Sequence, residues 1–362
     1  MLIRKQNGFD DFVCLAAECP KSCCTGWQIV IDEASLRKYK ETTGDFAPAL
    51  SEGVDHKEKC FRQNAGRCAM LRDDGLCDLQ KNLGEDYLCD NCRLYPRHEE
   101  DFLDLREETL TLSCPKVASM ILDPVYEYGF TEENDERSDD PEEYGDCDPF
   151  LLDELAYARE KMTACIKRSG IPFQERLAMI GAAALDMQIC YDFGDIELIG
   201  KTCERLDERV DLGETNDIAA EDIEPLNATG IPMDFSYAME SLSFLSQLEA
   251  LEEEWPDLVH RTKEYFLKEG SSSGAWKEAV QSSLEKVFLS FLYTYLCGSV
   301  YDGQIYARCM IAIWSTRWIM LLSAATDLTL QQAVYLYSRQ IEHSDENINS
   351  LISFFEEEII HY

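Results

Sequence analysis

Ten of the chain's 16 cysteines fall between Cys14 and Cys114, opening with Cys14-x4-Cys19-x3-Cys23-Cys24 and continuing through Cys60, Cys68, Cys77, Cys89, Cys92 and Cys114. Thiolates so grouped point to zinc or an iron–sulfur cluster, because inert core cysteines are seldom tightly spaced. A disulfide framework fits less well. The first residues reach Asp10 and Asp11 without an apolar run that could serve as a signal peptide, which favours a reducing cytosol. The chain also has 362 residues, enough to bury a core without covalent staples.

The remaining composition describes a soluble globular protein, 45% hydrophobic and 10% aromatic. Its 70 acidic and 33 basic residues give a net charge of −37, which repels nucleic acid and anionic membranes and attracts lysine-bearing proteins or cations. Ile305 to Ala325 is long and apolar, yet it contains Arg308 and Arg317. Each arginine would cost about 2.5–3.5 kcal/mol at the bilayer centre, so the segment is expected to be a buried helix in a cytoplasmic protein with no membrane span.

The expected architecture is mainly α. A small irregular α+β cysteine-cluster domain over residues 1–130 precedes an acidic linker or loop over 131–149 and an all-α helical domain over 150–362. Thr131 to Pro149 is almost all charge and turn formers. In the first part, Trp27 to Ile31 alternates as a strand, Asp32 is placed to cap a helix over Glu33 to Lys40, and Leu71 to Gly75 reads as a turn. Leu79 to Leu83 reads as a helical turn, and Leu103 to Leu112 as a strand or hairpin arm. Pro115 makes Cys114 the residue before a helix, where the dipole would lower its pKa. Helical periodicity then runs over Phe150–Lys167, Phe173–Ile189, Phe235–Glu252, Pro256–Leu267, Ala275–Leu296, Gln304–Ala325, Thr329–Ile341 and Asp345–Ile360, the last capped by Ser344. Asp207 to Asn227 reads as a second acidic loop.

Several words occur in fixed order: Cys23-Cys24-x-Gly26-Trp27, Asp32, Cys68-x2-Leu71, Gly75-x-Cys77, Cys92-x2-Tyr95-Pro96-Arg97, Ser113-Cys114-Pro115 and, near the far end, Ser338 to Ser344. In these the chain resembles the flagellin lysine N-methylase (FliB-like) family, which is similar to an extended member of the CxxCxxCC cysteine-cluster class that chelates zinc or iron. The resemblance implies methyl transfer from S-adenosylmethionine to flagellin lysines by a protein holding an iron–sulfur (4Fe-4S) cluster or zinc. It carries over Cys14, Cys19, Cys23, Cys24, Cys68, Cys77, Cys92 and Cys114 as ligands, enough for two four-thiolate sites or one site with spares. Cys89 forms a Cys-x2-Cys with Cys92 but lies outside the matched words.

A lysine methylase must unmask an amine whose ordinary pKa is about 10.4. The polar group His343, Glu342 and Arg339 is the catalytic candidate, against a plainer reading as a helix end. No Gly-x-Gly-x-x-Gly turn follows a strand, since Gly181 sits in a helical pattern, and no Cys-x3-Cys-x2-Cys occurs because Gly26 takes the third position. The rival readings are a non-catalytic cysteine-cluster protein whose helices bind a partner, and a related cluster enzyme acting on another protein or peptide.

Overall fold

Asp32 shows how the cysteine-rich part is tied together without a large core. Its Oδ1 accepts from Ser35 N at 2.8 Å, capping α1 (Glu33–Glu41), while Oδ2 accepts from Asp90 N at 3.0 Å, 58 residues away. In this computed structural model, which describes residues 1–135, 147–211, 235–269 and 280–359, that part has its own small core. Ile29, Ile31, Leu36, Tyr39, Phe61 and Leu79 pack there with Cys68 and Cys89. Short helices surround it: α2 (Ala47–Gly53), α3 (Asp78–Leu83) and α4 (Asp90–Leu94). The expected strand over Trp27–Ile31 reduces to one bridge, Val30 to Cys60. Its partner, Cys60–Phe61, is only two residues long, so the ladder has nowhere to continue.

A four-stranded sheet links this part to the helices. Its strands are β1 (Leu2–Gln6), β2 (Arg97–Phe102), β3 (Leu105–Leu110) and β4 (Phe130–Asn134), in spatial order β2-β3-β1-β4. β1 runs parallel to β3, with Leu2 opposite Leu105, and antiparallel to β4, with Gln6 opposite Phe130. The hairpin expected near Leu103–Leu112 is β2–β3. Thr131 to Asn134 of the acidic segment therefore form an edge strand, and residues 136–146 lie outside the described residues. The larger core joins Phe102, Leu105 and Leu110 of the sheet and Val117 of α5 (Pro115–Leu122) to the helical part, so the two cores do not divide at residue 131.

The helical part comprises α6 (Pro149–Ile166), α7 (Phe173–Asp192), α8 (Ile199–Asp211), α9 (Phe235–Leu245), α10 (Trp255–Glu269), α11 (Gln281–Tyr295), α12 (Ser299–Asp302), α13 (Ile305–Ala325), α14 (Leu330–Glu342) and α15 (Asp345–Ile359). α13 is the one helix among the described residues long and apolar enough to cross a membrane; 94% of its most apolar 18-residue stretch is buried inside the protein, and it packs on α7, α10, α11, α14 and α15. Its two arginines are held within the protein rather than by lipid: Arg308 binds Asp302 at 2.7 Å, and Arg317 donates to Gln174 at 3.1 Å while its buried Nη1 has no hydrogen-bond partner. Ser344 Oγ accepts from Asn347 N, capping α15.

Two boundaries differ from expectation. Residues 207–211 complete α8 rather than opening an acidic loop, because Ile199, Cys203 and Leu206 form a buried stripe while Asp207 pairs with Lys161 at 2.7 Å. Residues 212–227 of that segment lie outside the described residues, as do 275–279 of the expected helix at 275–296. α9 ends at Leu245 instead of Glu252, since Gln340 and Asn347 side chains bind the backbone of Leu251 and Glu249 and hold 246–254 as a turn.

Alternation in β3 points Glu107 into the core, where Arg159 of α6 donates to both its oxygens, one at 2.7 Å. Removing one partner strands a buried charge. Glu107→Gln or Arg159→Met should each lower unfolding free energy by about 3–5 kcal/mol in chemical denaturation, and the two together should cost less than their sum.

Candidate functional site

The last turn of α14 and the cysteine loop meet through Arg339, which has no exposed surface. Its Nε donates to Glu252 Oε1 at 2.8 Å, and one Nη donates to the carbonyls of Ser22 at 3.1 Å and Thr25 at 2.6 Å. Glu252 arrives on the turn after α9 and also binds Lys21 at 2.7 Å. The guanidinium lies 4.3 Å from the Trp27 ring, whose other neighbour is His343, stacked at 3.7 Å and 21°. Arg339 and His343 are four residues apart on one helical face, so together they hold Trp27. Gly26 is required beside this stack: its φ is +94°, and a Cβ would lie 2.8 Å from Glu252 Oε1.

A cavity of about 1100 Å³ opens next to this clamp. Seven of the eight expected ligands line it: Cys14, Cys19, Cys23, Cys24, Cys77, Cys92 and Cys114. Cys68 sits behind, bonded through its backbone N to Cys24 O at 2.8 Å, and Cys89 is fully buried. The Cys23 thiol donates to Cys24, and Cys92 donates to Cys89. Among the described residues no group of three or more His, Cys, Asp or Glu side chains stands at metal-binding spacing.

Electrostatics bear on what these thiols could hold. Burial pushes Cys68 up to about 12, and Cys77 and Cys19 upward. Cys114 does cap α5, but burial raises it to about 11, against the N–H groups of Val117 and Lys116 and contrary to the lowering expected from the dipole alone. Two thiols are instead drawn down by a neighbouring thiol donor: Cys24 to about 7, first by the Cys23 hydrogen bond and then by Ser22 and Arg339, and the buried Cys89 by Cys92. Arg339 Nη1 has no hydrogen-bond partner and is buried. Thiols that line one cavity beside an unsatisfied guanidinium have the donor chemistry of a thiophilic metal, although no three of them stand at ligand spacing here; such a metal's charge would hold the sulfurs ionised, and Arg339 would balance its anionic thiolate shell.

The cavity wall beyond the thiols carries acids. Glu342 lines it, with Oε2 accepting from Thr111 Oγ1, and burial lifts its carboxyl to about 7. Glu100 of β2 lines it as well and is raised to about 7 by burial and by nearby Glu107. Glu100 was not read as a site residue. The available signal was period two, which puts it on the same strand face as buried Phe102. Tyr95 holds Ser113 Oγ at 3.2 Å, and Ser113 in turn meets His343 Nε2 at 2.9 Å. Arg93 pairs with Asp90 at 2.5 Å, and Arg97 lies 5.4 Å from the Phe9 and Phe12 rings.

The three expected catalytic residues stand in different surroundings. Arg339 is outside the cavity lining and positions Trp27 and the cysteine loop. His343 lines the cavity, but burial first and the Arg339 charge second depress its pKa to about 3. The unfolded ring gains a proton where the folded ring does not, so His343 makes stability fall as pH drops through the ordinary histidine range. Its imidazole resonances should not titrate between about pH 5 and 8 in NMR spectra; a midpoint near 6.5 would contradict this environment.

The family profile described as FliB lysine N-methylase C-terminal domain matches residues 159–361, more than half of the chain. A lysine-N-methylase of Salmonella typhimurium is 33% identical over 120 residues, 31% of this chain and 30% of that protein. One of Salmonella choleraesuis is 32% identical over the same shares. A flagellar biosynthetic protein FliU of Salmonella muenchen is 32% identical over 120 residues, 31% of this chain and 71% of that protein. The match thus spans under a third of the two methylases. No solved structure matches the chain. On the family profile, this chain belongs to the FliB lysine N-methylase family.

Proposed function

We propose that this protein is an S-adenosylmethionine-dependent lysine N-methylase that modifies flagellin in the cytoplasm and carries zinc or an iron–sulfur cluster. The observation that carries the reading is Glu342, a carboxyl set in the cavity wall and shifted by burial to about 7. An ordinary lysine ammonium holds its proton to about pH 10.4, and a base matched to neutral pH is best suited to remove it inside a desolvated site. S-adenosylmethionine, when bound, would supply the methyl carbon to the freed nitrogen, its methyl–sulfur bond breaking to leave S-adenosylhomocysteine.

Thr111 fixes the Glu342 carboxyl through Oε2, and Glu342 takes the ammonium proton. His343 stays neutral and holds Trp27 and Ser113 in place. The named relatives support the activity, and the charge of −37 suits a lysine-bearing substrate. The seven cavity cysteines, with Cys68 behind them, would hold the metal; zinc would tie the cysteine loop into the fold, and an iron–sulfur cluster would also offer one-electron chemistry.

Anaerobically isolated protein given methyl-labelled S-adenosylmethionine and flagellin should label flagellin lysines. The rate should rise with pH through about 7, as Glu342 loses its proton, and Glu342→Gln should lower kcat by about 100-fold or more. Unlabelled lysines would favour the non-catalytic reading. A pH profile flat across neutrality would remove Glu342 from this role.

A further inference from the structure

We infer that Glu100, Glu342 and Tyr295 together form the subsite that receives the substrate's primary ammonium, a proposal that rests on the lysine-methylase reading and deepens it. All three line the one cavity. Tyr295 is 6% exposed and its hydroxyl has no hydrogen-bond partner, an arrangement that leaves a buried polar group unsatisfied. It feels the charges of Glu342 and Arg308, and Glu100 feels Arg308 and Arg159, so the three groups share one electrostatic neighbourhood.

The nearby cations are already committed. Arg308 Nη2 binds Asp302 at 2.7 Å and its Nη1 donates to Tyr295 O at 3.5 Å. Arg159 is held by both oxygens of Glu107. The Glu100 side chain makes no ion pair among the described residues, and Glu342 is bonded to neutral hydroxyls. Arg308 also lines the cavity, yet among the described residues no cation pairs with Glu100 or Glu342.

The missing partner is defined by its donors. An ammonium carries three N–H groups and no acceptor, matching two carboxyls and one hydroxyl. A lysine side chain would bring its amine to this wall, opposite the thiols. A trimethylated product, having no N–H donor, would hold less tightly than the unmodified amine.

Binding of N-acetyl-lysine methylamide to the whole metal-loaded protein, followed by NMR, tests this with N-acetyl-norleucine methylamide as the uncharged control. Wild-type protein should bind the lysine probe and not the norleucine one. Glu100→Gln and Tyr295→Phe should each weaken the lysine probe by about tenfold, since a charge-assisted hydrogen bond contributes on that scale. Tyr295→Phe keeps the ring stacked on Phe291, so loss of binding there is not loss of fold. Equal affinity for the two probes, or unchanged affinity in both variants, would overturn the subsite. Selective lysine binding with no methyl transfer to flagellin would instead overturn the activity and leave the subsite standing.

Discussion

The buried guanidinium of Arg339 is the contact on which the site depends. It joins residues more than 300 positions apart, binding Ser22 and Thr25 on one side and Glu252 on the other while lying against Trp27. The charge cannot stay buried without these partners, and although Glu252 also pairs with Lys21 at 2.7 Å, Arg339 is what ties it to the Ser22 and Thr25 carbonyls. Gly26 exists in this form because Glu252 must approach the backbone so closely. The cysteine loop is thereby fastened to the helical part, which is what makes one cavity out of thiols from the first third of the chain and an acid from its end.

That cavity combines two kinds of chemistry. Seven sulfurs supply a soft, oxidisable wall, and Glu100 and Glu342 supply an acidic one whose members titrate near neutrality. Both effects arise from burial, which disfavours charge on thiol and carboxyl alike. A metal at the thiols and an ammonium at the carboxyls would each restore the charged forms.

Much of this was legible in the chain, for physical reasons that differ by element. Asp32 and Cys114 were found as caps because capping is local, and α6, α7, α13 and α14 because a buried helix writes its period into sequence. The turn at 246–254 was not, since it is held by Gln340 and Asn347 from almost a hundred residues away. β1 was missed for the same reason, its partners being near residues 105 and 130. The final segment Ser338 to Ser344 was identified as part of the site, yet its residues divide into a positioning pair and an acid. That Glu342 and His343 line the cavity while Arg339 does not depends on helix phase, and the depression of His343 depends on burial that no spacing reveals.

Arg339→Lys tests the central claim most directly, because lysine keeps the charge but cannot donate to Glu252, Ser22 and Thr25 together or lie flat on Trp27. Metal content and sulfur-to-metal absorption of the anaerobically isolated variant should be compared with the parent protein. The account predicts loss of bound metal with helical content retained. Full metal content and unchanged absorption would show that the thiols assemble without this clamp, and would contradict it.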